Sequence, residues 1–308
     1  MNILVTGATG CLGGATARRL AAAAHAVTGS GRDVTKGAAL AARHEIIIHA
    51  GGLSSAWGRR EEFMRANVEP TRFLAEATRA AGGRFIFVSS PSIYFDFTDR
   101  YRIDSDEAPA PRPVNAYAQS KLIAERLVRE ASAHGLDAAI VRPRAIFGAG
   151  DTALMPRLLR AAARGRLPLI DGGRATIDLT YVDNVADVLI AAALHPAGLN
   201  GRAYNVSNGE PISVVDLMRA VVDGLGLKTR LIPIAFPLAY AAAAAMEAVA
   251  NLSPSRPEPV LTRYTVGVLG KSQTLSIDRA RSELGWTPRV SLRDGIERTL
   301  SAWRAAHA

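Results

Sequence analysis

Tyr117 and Lys121 stand four residues apart in the stretch AYAQSKLIAE. On a helix that spacing puts both side chains on one face, with Cβ atoms about 5–6 Å apart. A free phenol titrates near pH ~10. To pass a proton near neutrality it must fall by about three units, roughly 4 kcal/mol. A neighbouring ammonium pushes in that direction. A lone Y-x-x-x-K arises often by chance, so its weight depends on what accompanies it. Upstream, the apolar run FIFVSS ends in Ser89 and Ser90, followed by Pro91, Ser92, Ile93 and Tyr94. A hydroxyl at the carboxyl end of a strand stands where parallel sheets bind ligands, and it can donate to a carbonyl oxygen. Two serines at a strand end are also ordinary turn chemistry.

A second constellation lies at the chain start. TGATGCLG places Gly7, Gly10 and Gly13 three apart, after the apolar run Asn2–Thr6 and before a helical stretch. A phosphate must approach backbone N–H groups at a helix N-terminus, and side chains there would block it. The spacing is G-x-x-G-x-x-G, not the common G-x-G-x-x-G fingerprint. Its position favours a dinucleotide, and a tight strand-to-helix turn is the alternative. Cys11 reads as a filler side chain, not a nucleophile. The next strand, AVTGS, runs into Gly31 and Arg32, with the first carboxylate one residue late at Asp33. A carboxylate at this strand end reads the ribose of NAD, whereas an arginine accepts the 2′-phosphate of NADP. Arg32 therefore points to NADP(H), with NAD(H) possible and a plain surface arginine as the alternative. A bound, charged nicotinamide ring would lower the Tyr117 phenol further. Asp33 suits the adenine edge or a turn cap.

These groups need a scaffold. Apolar runs at Asn2–Thr6, His25–Ser30, Glu45–His49, Arg84–Ser89 and Ala138–Arg142 alternate with helical stretches at Thr16–Ala24, Glu61–Ala81 and Ala116–Ala133. Strands separated by helices mean crossover units and a parallel sheet. The polar, proline-rich segment Asp96–Pro113 reads as a long loop. After Pro143 the pattern changes to helices joined by short strands and turns. The expected fold class is α/β, a Rossmann-type doubly wound parallel sheet with a smaller mixed α/β C-terminal substrate domain. Residues 1–143 and about 175–200 form the dinucleotide-binding part. Residues of about 144–174 and 201–308 form the substrate part.

The chain of 308 residues is long enough for about two domains. Apolar residues make up 48% and charged residues 21%, which excludes a disordered chain. One cysteine excludes a disulfide framework and a four-cysteine zinc site, and no metal is expected. The net charge of +9 comes from 33 Arg and 4 Lys scattered singly or in pairs. Without a basic run interleaved with aromatics it reads as compositional bias, not as a nucleic-acid surface. No signal peptide is evident. The apolar stretch Pro237–Leu252 is shorter than the roughly 20 residues that span a bilayer. A cytoplasmic protein without stable membrane insertion is expected.

Taken together, TGATGCLG, EIIIHAGG, FVSSPSIY, YAQSK, RPRAIFGAGD, TYVDNVADV, YNVSNGEP and LGWTP resemble the extended short-chain dehydrogenase/reductase family, the epimerase/dehydratase superfamily. The resemblance covers nearly the whole chain. It implies Ser90 as the catalytic hydroxyl, Tyr117 as acid/base, Lys121 as its activator and Asn67 as the active-site asparagine. It implies a cofactor site of Gly7, Thr9, Gly10, Cys11, Leu12, Gly13, Arg32, Asp33, Val34, Ala50, Gly51, Gly52, Tyr117, Lys121 and Pro143. On the substrate side it implies Ser54, Trp57, Ser92, Tyr94, Arg144 and Tyr181. His49 looks like a strand-end packing residue. Two departures stand out: HAGG at 49–52 in place of an HAAA-type run, and Pro70 within NVEPT.

Two branches of the family compete. Nucleotide-sugar enzymes commonly carry an Arg-Asp pair that grips the diphosphate. Here that pair is Ile177-Asp178, and losing an arginine removes a charge-assisted clamp. PSIYFDF, SAWG and EPVLTRYT resemble instead the 3β-hydroxysteroid dehydrogenases and 2-alkyl-3-oxoalkanoate reductases. The expectation is an oxidoreductase that interconverts a ketone and a secondary alcohol on a fairly apolar, 3-oxoacyl or steroid-like substrate. The alternatives are a nucleotide-sugar epimerase, dehydratase or reductase, and a non-catalytic dinucleotide sensor. The apolar stretch with Phe236, Leu238, Tyr240, Met246, Val249 and Leu252 is expected to roof the pocket. A homodimer is expected through the Glu61–Ala81 and Ala116–Ala133 helices.

Overall fold

The structure is a computed structural model and describes residues 1–31, 39–152 and 154–307. Six strands form the central sheet: β1 (Asn2–Thr6), β2 (Ala26–Ser30), β3 (Ile46–His49), β4 (Arg84–Val88), β6 (Asp137–Pro143) and β11 (Arg202–Val206). All their pairings are parallel, in the order β11-β6-β4-β3-β1-β2. Successive residues of a strand face opposite sides, and both sides are covered, so the strands read as continuous apolar runs. Ile3, Val5, Ile48, Ile86 and Val141 pack on one side with the helices Cys11–Ala22 and Val182–Ala193. Leu4, Ile47, Phe85, Phe87 and Ile140 pack on the other with Glu69–Ala80 and Ala116–Ala133.

From β1 the chain steps outward to β2, then returns to the other side of β1 as β3. The carboxyl ends of β1 and β3 therefore border a topological switch point, where open parallel sheets hold their ligands. The glycine loop follows β1 and Ala50–Gly52 follows β3.

The smaller part hangs on short strands. β5 (Arg100–Ile103), β7 (Ile146–Phe147), β8 (Arg166–Ile170), β9 (Thr176–Ile177), β10 (Thr180–Tyr181), β12 (Ile212–Ser213), β13 (Arg230–Ile234) and β14 (Gln273–Leu275) pair as β12-β9-β14-β5, β13-β8 and β10-β7. The helices Phe236–Leu252 and Arg263–Gly270 pack against Ile170.

Three expectations need correction. The segment Asp96–Pro113 is not all loop: β5 forms within it because Ile103 packs with Ile93, Tyr94 and Leu275 while the backbone pairs with β14. The expected Glu61–Ala81 helix breaks into Arg60–Phe63, a π turn at Met64–Val68, and Glu69–Ala80. Single π turns inside helices mark functional sites, and this one carries Asn67. Residues after 200 do not all leave the sheet, since β11 closes one of its edges against β6. Among the described residues no helix is long and apolar enough to cross a membrane.

Candidate active site

The glycine loop is built to admit an anion. Gly7 adopts a positive φ of 69°, and a Cβ there would stand 2.8 Å from the backbone of Gly51. A Cβ on Gly13 would fall 2.3 Å from Gly7 O, so only glycine lets the helix approach the turn. Gly10 caps the helix Cys11–Ala22 without a side-chain hydrogen bond, and its first turn holds no acid. Bare N–H groups and a helix dipole without a competing carboxylate suit a pyrophosphate. Thr9 and Leu12 lie in this loop and first turn. The Cys11 thiol donates to Ala149 O and is pushed up to about 11, mainly by burial. A thiol held protonated in this way is a poor nucleophile. These features fit a dinucleotide. A Cβ at Gly31 would meet nothing within 4 Å. Arg32, Asp33 and Val34 lie outside the described residues.

A buried network fixes the opposite wall. Gly51 N–H donates to Thr6 Oγ1, which hydrogen-bonds His49 Nδ1 at 2.7 Å. His49 Nε2 meets Thr71 Oγ1, whose hydroxyl donates to Asn67 O at 2.6 Å. Because Thr71 gives its one proton to Asn67, its oxygen accepts from His49 Nε2–H. His49 Nδ1 is then the acceptor for Thr6. His49 is thus a neutral connector between the cofactor wall and the π turn. Burial and nearby Lys121 hold its pKa down at about 3. It packs between Phe85 and Phe87, as a strand-end residue should, and also orients this network.

Asn67 is 1% exposed and fully engaged. Its amide donates to Leu53 O and Ser120 Oγ, and its oxygen accepts from Leu53 N–H. Ser120 in turn donates to Tyr117 O. Asn67 thus ties Leu53 and Ser120 together at the π turn. The unusual Gly52 has a reason here: a Cβ would stand 2.8 Å from Asn67 Oδ1.

The structure brings Ser90 and Ser54 beside the Tyr117 phenol, where both hydroxyls favour its ionised form. Ser90 caps the short 3-10 helix Pro91–Tyr94 by accepting from Ser92 N–H. Asn115 caps the Ala116–Ala133 helix, so Tyr117 lies in its first turn. Lys121 is buried under it, but its ammonium donates to Val88 O at 2.9 Å and lies over the Phe87 ring. Burial lowers Lys121 to about 8. Burial also raises the Tyr117 phenol, against the pull of the two neighbouring serine hydroxyls. The lowering expected from a Y-x-x-x-K spacing is thus absent from the chain alone, because the ammonium points at Val88.

Polar side chains form a floor at the ends of β6 and β11. Arg144 is buried beside Tyr264, whose hydroxyl also lies close enough to Tyr117 to feel its charge. Asp178 accepts from Leu275 N–H at 2.7 Å, and burial raises it to about 6. Ser92 Oγ is buried with no partner among the described residues. An aromatic wall rises from this floor: Tyr264 meets Phe95 edge-on, Phe95 meets Phe97, Phe97 meets Tyr240, and Tyr240 stacks on Phe236.

Three expected substrate residues take other places. Tyr94 is fully buried, its hydroxyl held by Arg142 and Asn205, because Arg142 needs that oxygen beside its Glu125 partner. Tyr181 caps the Val182–Ala193 helix and packs on Phe147. Trp57 donates its indole N–H to Arg256 O, tying its loop to the turn after the Phe236–Leu252 helix. That helix has an inner and an outer face. Phe236 and Tyr240 turn inward, whereas Leu238, Val249 and Leu252 are 67%, 69% and 86% exposed. Alanines at 239, 243 and 250 allow the close approach that buries the inner face. Pro143 pairs with Val206 at the sheet edge beside Arg144. Sequence reasoning missed Tyr264; the signal was EPVLTRYT, quoted only for its resemblance. Among the described residues no group of three or more His, Cys, Asp or Glu side chains could hold a metal ion.

Residues 3–207 match the family described as the NAD dependent epimerase/dehydratase family. The chain is 34% identical to a 2-alkyl-3-oxoalkanoate reductase of Stenotrophomonas maltophilia (strain K279a), over 97% of this chain and 98% of that protein. It is 29% identical to a sterol-4-alpha-carboxylate 3-dehydrogenase, decarboxylating, of Mus musculus, over 83% and 74%. The solved structure of MoeE5 in complex with UDP-glucose and NAD superposes with a TM-score of 0.80 at 24% identity, over all of both chains. At that identity the last match shows the fold.

Proposed function

The chain belongs to the NAD dependent epimerase/dehydratase family and is an oxidoreductase of the extended short-chain dehydrogenase/reductase type, and we propose that it reduces a fairly apolar ketone, reversibly, with NADP(H) preferred over NAD(H). The observation that carries this reading is the convergence of Ser90, Ser54 and Tyr117 beside an aromatic wall. Apolar surface buried against such a wall contributes roughly 25 cal/mol per Å². The relatives named as an oxoalkanoate reductase and a sterol carboxylate dehydrogenase support a 3-oxoacyl or steroid-like substrate. Ile177, buried in β9 where a nucleotide-sugar enzyme commonly keeps an arginine, offers a diphosphate nothing.

When bound in the glycine cradle, the dinucleotide supplies or accepts a hydride. The rest is work for the chain. Ser90 and Ser54 hold the phenol of Tyr117, and Ser90 offers its hydroxyl to the substrate carbonyl. Tyr117 gives its proton to the carbonyl oxygen as that oxygen becomes a hydroxyl, and withdraws it in the reverse direction. At neutral pH the phenol carries the proton that reduction needs, and a cationic cofactor ring beside it would ease the proton's release. Lys121 sits at the strand end where a ribose would lie. The sheet of residues 1–143 and 175–206 carries the cofactor side, and the remainder the substrate side.

NADPH consumption with 3-oxo acids, aromatic ketones and steroids tests this reading. Saturable turnover on apolar members supports it. Cofactor binding without turnover anywhere in the panel overturns it. Arg32→Ala is expected to weaken NADPH selectively, and equal loss for NADH would remove the NADP assignment. A homodimer in the cytoplasm completes the proposal.

A further inference from the structure

The helix Phe236–Leu252 carries a single charged side chain, and that one is turned inward. Glu247 is buried, and Arg263 holds both its oxygens, one through the backbone N–H at 2.8 Å and one through Nε at 2.6 Å. The inner face also supplies Phe236 and Tyr240 to the aromatic wall. The outer face is a stripe. Leu238, Ala242, Ala245, Val249 and Leu252 recur every three or four residues, with Met246 beside them, and all are exposed. No charged residue interrupts the stripe. Single exposed apolar side chains are ordinary on a protein surface, whereas a continuous patch of them marks a docking face.

The charges at its ends say what docks there. Lys271 Nζ lies 5.0 Å from the ring centroid of Phe236, at the first turn. Past the last turn, Arg59 donates to Pro254 O at 2.6 Å, and Arg256 follows, exposed. The neighbouring carboxylates are already engaged: Glu247 by Arg263, Glu258 by two nitrogens of Arg157, Asp171 by Phe236 N–H and Glu62 by Arg59 N–H. The whole chain carries +9. Both ends of the stripe are thus positive. A second copy laid on it in either direction would set cation against cation. The helix is also about 25 Å long and about 10 Å wide, so its face offers a few hundred Å² where a stable dimer buries roughly 800 Å² per partner. An anionic lipid surface meets neither obstacle, because apolar side chains enter it one by one and its headgroups attract the flanking cations.

We infer that the outer face of this helix rests on an anionic lipid bilayer, with Leu238, Met246, Val249 and Leu252 among the upper acyl carbons and Arg59, Arg256 and Lys271 at the headgroups. Among the described residues no helix is long and apolar enough to cross a membrane, so the contact is peripheral and reversible. The bilayer then lies about one helix diameter, roughly 10 Å, from the aromatic wall. An apolar ketone dissolved in the lipid has a short path to that wall. Only this path rests on the reductase reading; the binding face stands without it.

The test sediments the full chain with vesicles of equal parts phosphatidylglycerol and phosphatidylcholine, and with vesicles of phosphatidylcholine alone. The wild type is expected to bind the anionic vesicles preferentially, and less at high salt. Val249→Glu with Leu252→Glu is expected to weaken that binding by about tenfold or more, and Arg256→Gln by about fivefold. Val249 and Leu252 are 69% and 86% exposed, so these variants keep the fold, which an unchanged thermal midpoint checks. Leu252→Trp reads the same contact directly, with emission expected to shift to the blue on anionic vesicles. A wild type that stays in solution, equal binding to the two kinds of vesicle, or unchanged binding by the double variant overturns the inference. So does a lower light-scattering mass of the double variant without lipid, which would assign the face to a second copy. Turnover is not measured, so a failure of the reductase reading leaves this result untouched.

Discussion

Lys121 shows how the site trades stability for chemistry. Its ammonium is buried with one carbonyl partner, and its pKa falls from 10.5 to about 8. The folded state therefore releases this proton more readily than the unfolded chain does. Between about pH 8 and pH 10.5 the unfolded chain binds the extra proton, so this group's contribution to stability rises with pH there. Below about pH 8 both states are charged and the fold bears the full burial cost. Lys121→Met is expected to raise stability by about 1–3 kcal/mol at pH 7, after the lost Val88 hydrogen bond is counted. The gain should vanish towards pH 10.5. Chemical denaturation at several pH values checks this, and a gain independent of pH would refute the burial account. Tyr117 and Lys121 were legible from their spacing. Where the lysine points was not, because Val88 O is distant in sequence and only the sheet brings it near.

At the level of elements, one buried ion pair locks the catalytic helix to the sheet. Glu125, one turn after Lys121, pairs with Arg142 of β6 and accepts from Ser89 Oγ at 2.5 Å. Removing one partner of such a pair leaves an uncompensated buried charge. Glu125→Ala is expected to cost about 3–5 kcal/mol, read as a lower denaturation midpoint. A loss within experimental error would show the helix held by packing alone. The strands β1, β3, β4 and β6 were readable as apolar runs because both sheet faces are covered there. The strand β11 was obscured because RAYNV mixes polar residues whose partners come from afar: Asn205 bonds Ile103 O. The π turn left no periodic signal of its own, since its flanks are helical. The side-chain exchange among Thr6, His49, Thr71 and Asn67 likewise joins positions that only folding brings together. Tyr94 and Tyr181 were misread for a related reason: a motif gives a side chain's place in the chain but not its direction.

For the whole molecule, the outward faces of Glu69–Ala80 and Ala116–Ala133 carry Phe73, 40% exposed, and the partly buried Ile123 and Leu127, while Phe63 and Leu74 are core. Two adjacent helices with apolar outer positions suit a two-fold interface. Light scattering at micromolar concentration is expected to give a homodimer that Phe73→Glu with Leu127→Glu converts to monomer. A wild-type monomer would refute it. The central claim is that Tyr117 delivers a proton to a ketone oxygen as hydride reaches the carbon. Its most direct test uses NADPH deuterated at the transferable C4 position with an apolar 3-oxo substrate. Mass spectrometry of the alcohol is predicted to show one deuterium on the carbinol carbon, with Tyr117→Phe slowing its appearance by about 10²–10⁴-fold. An unlabelled alcohol, no alcohol at all, or an equally fast Tyr117→Phe enzyme would contradict the account.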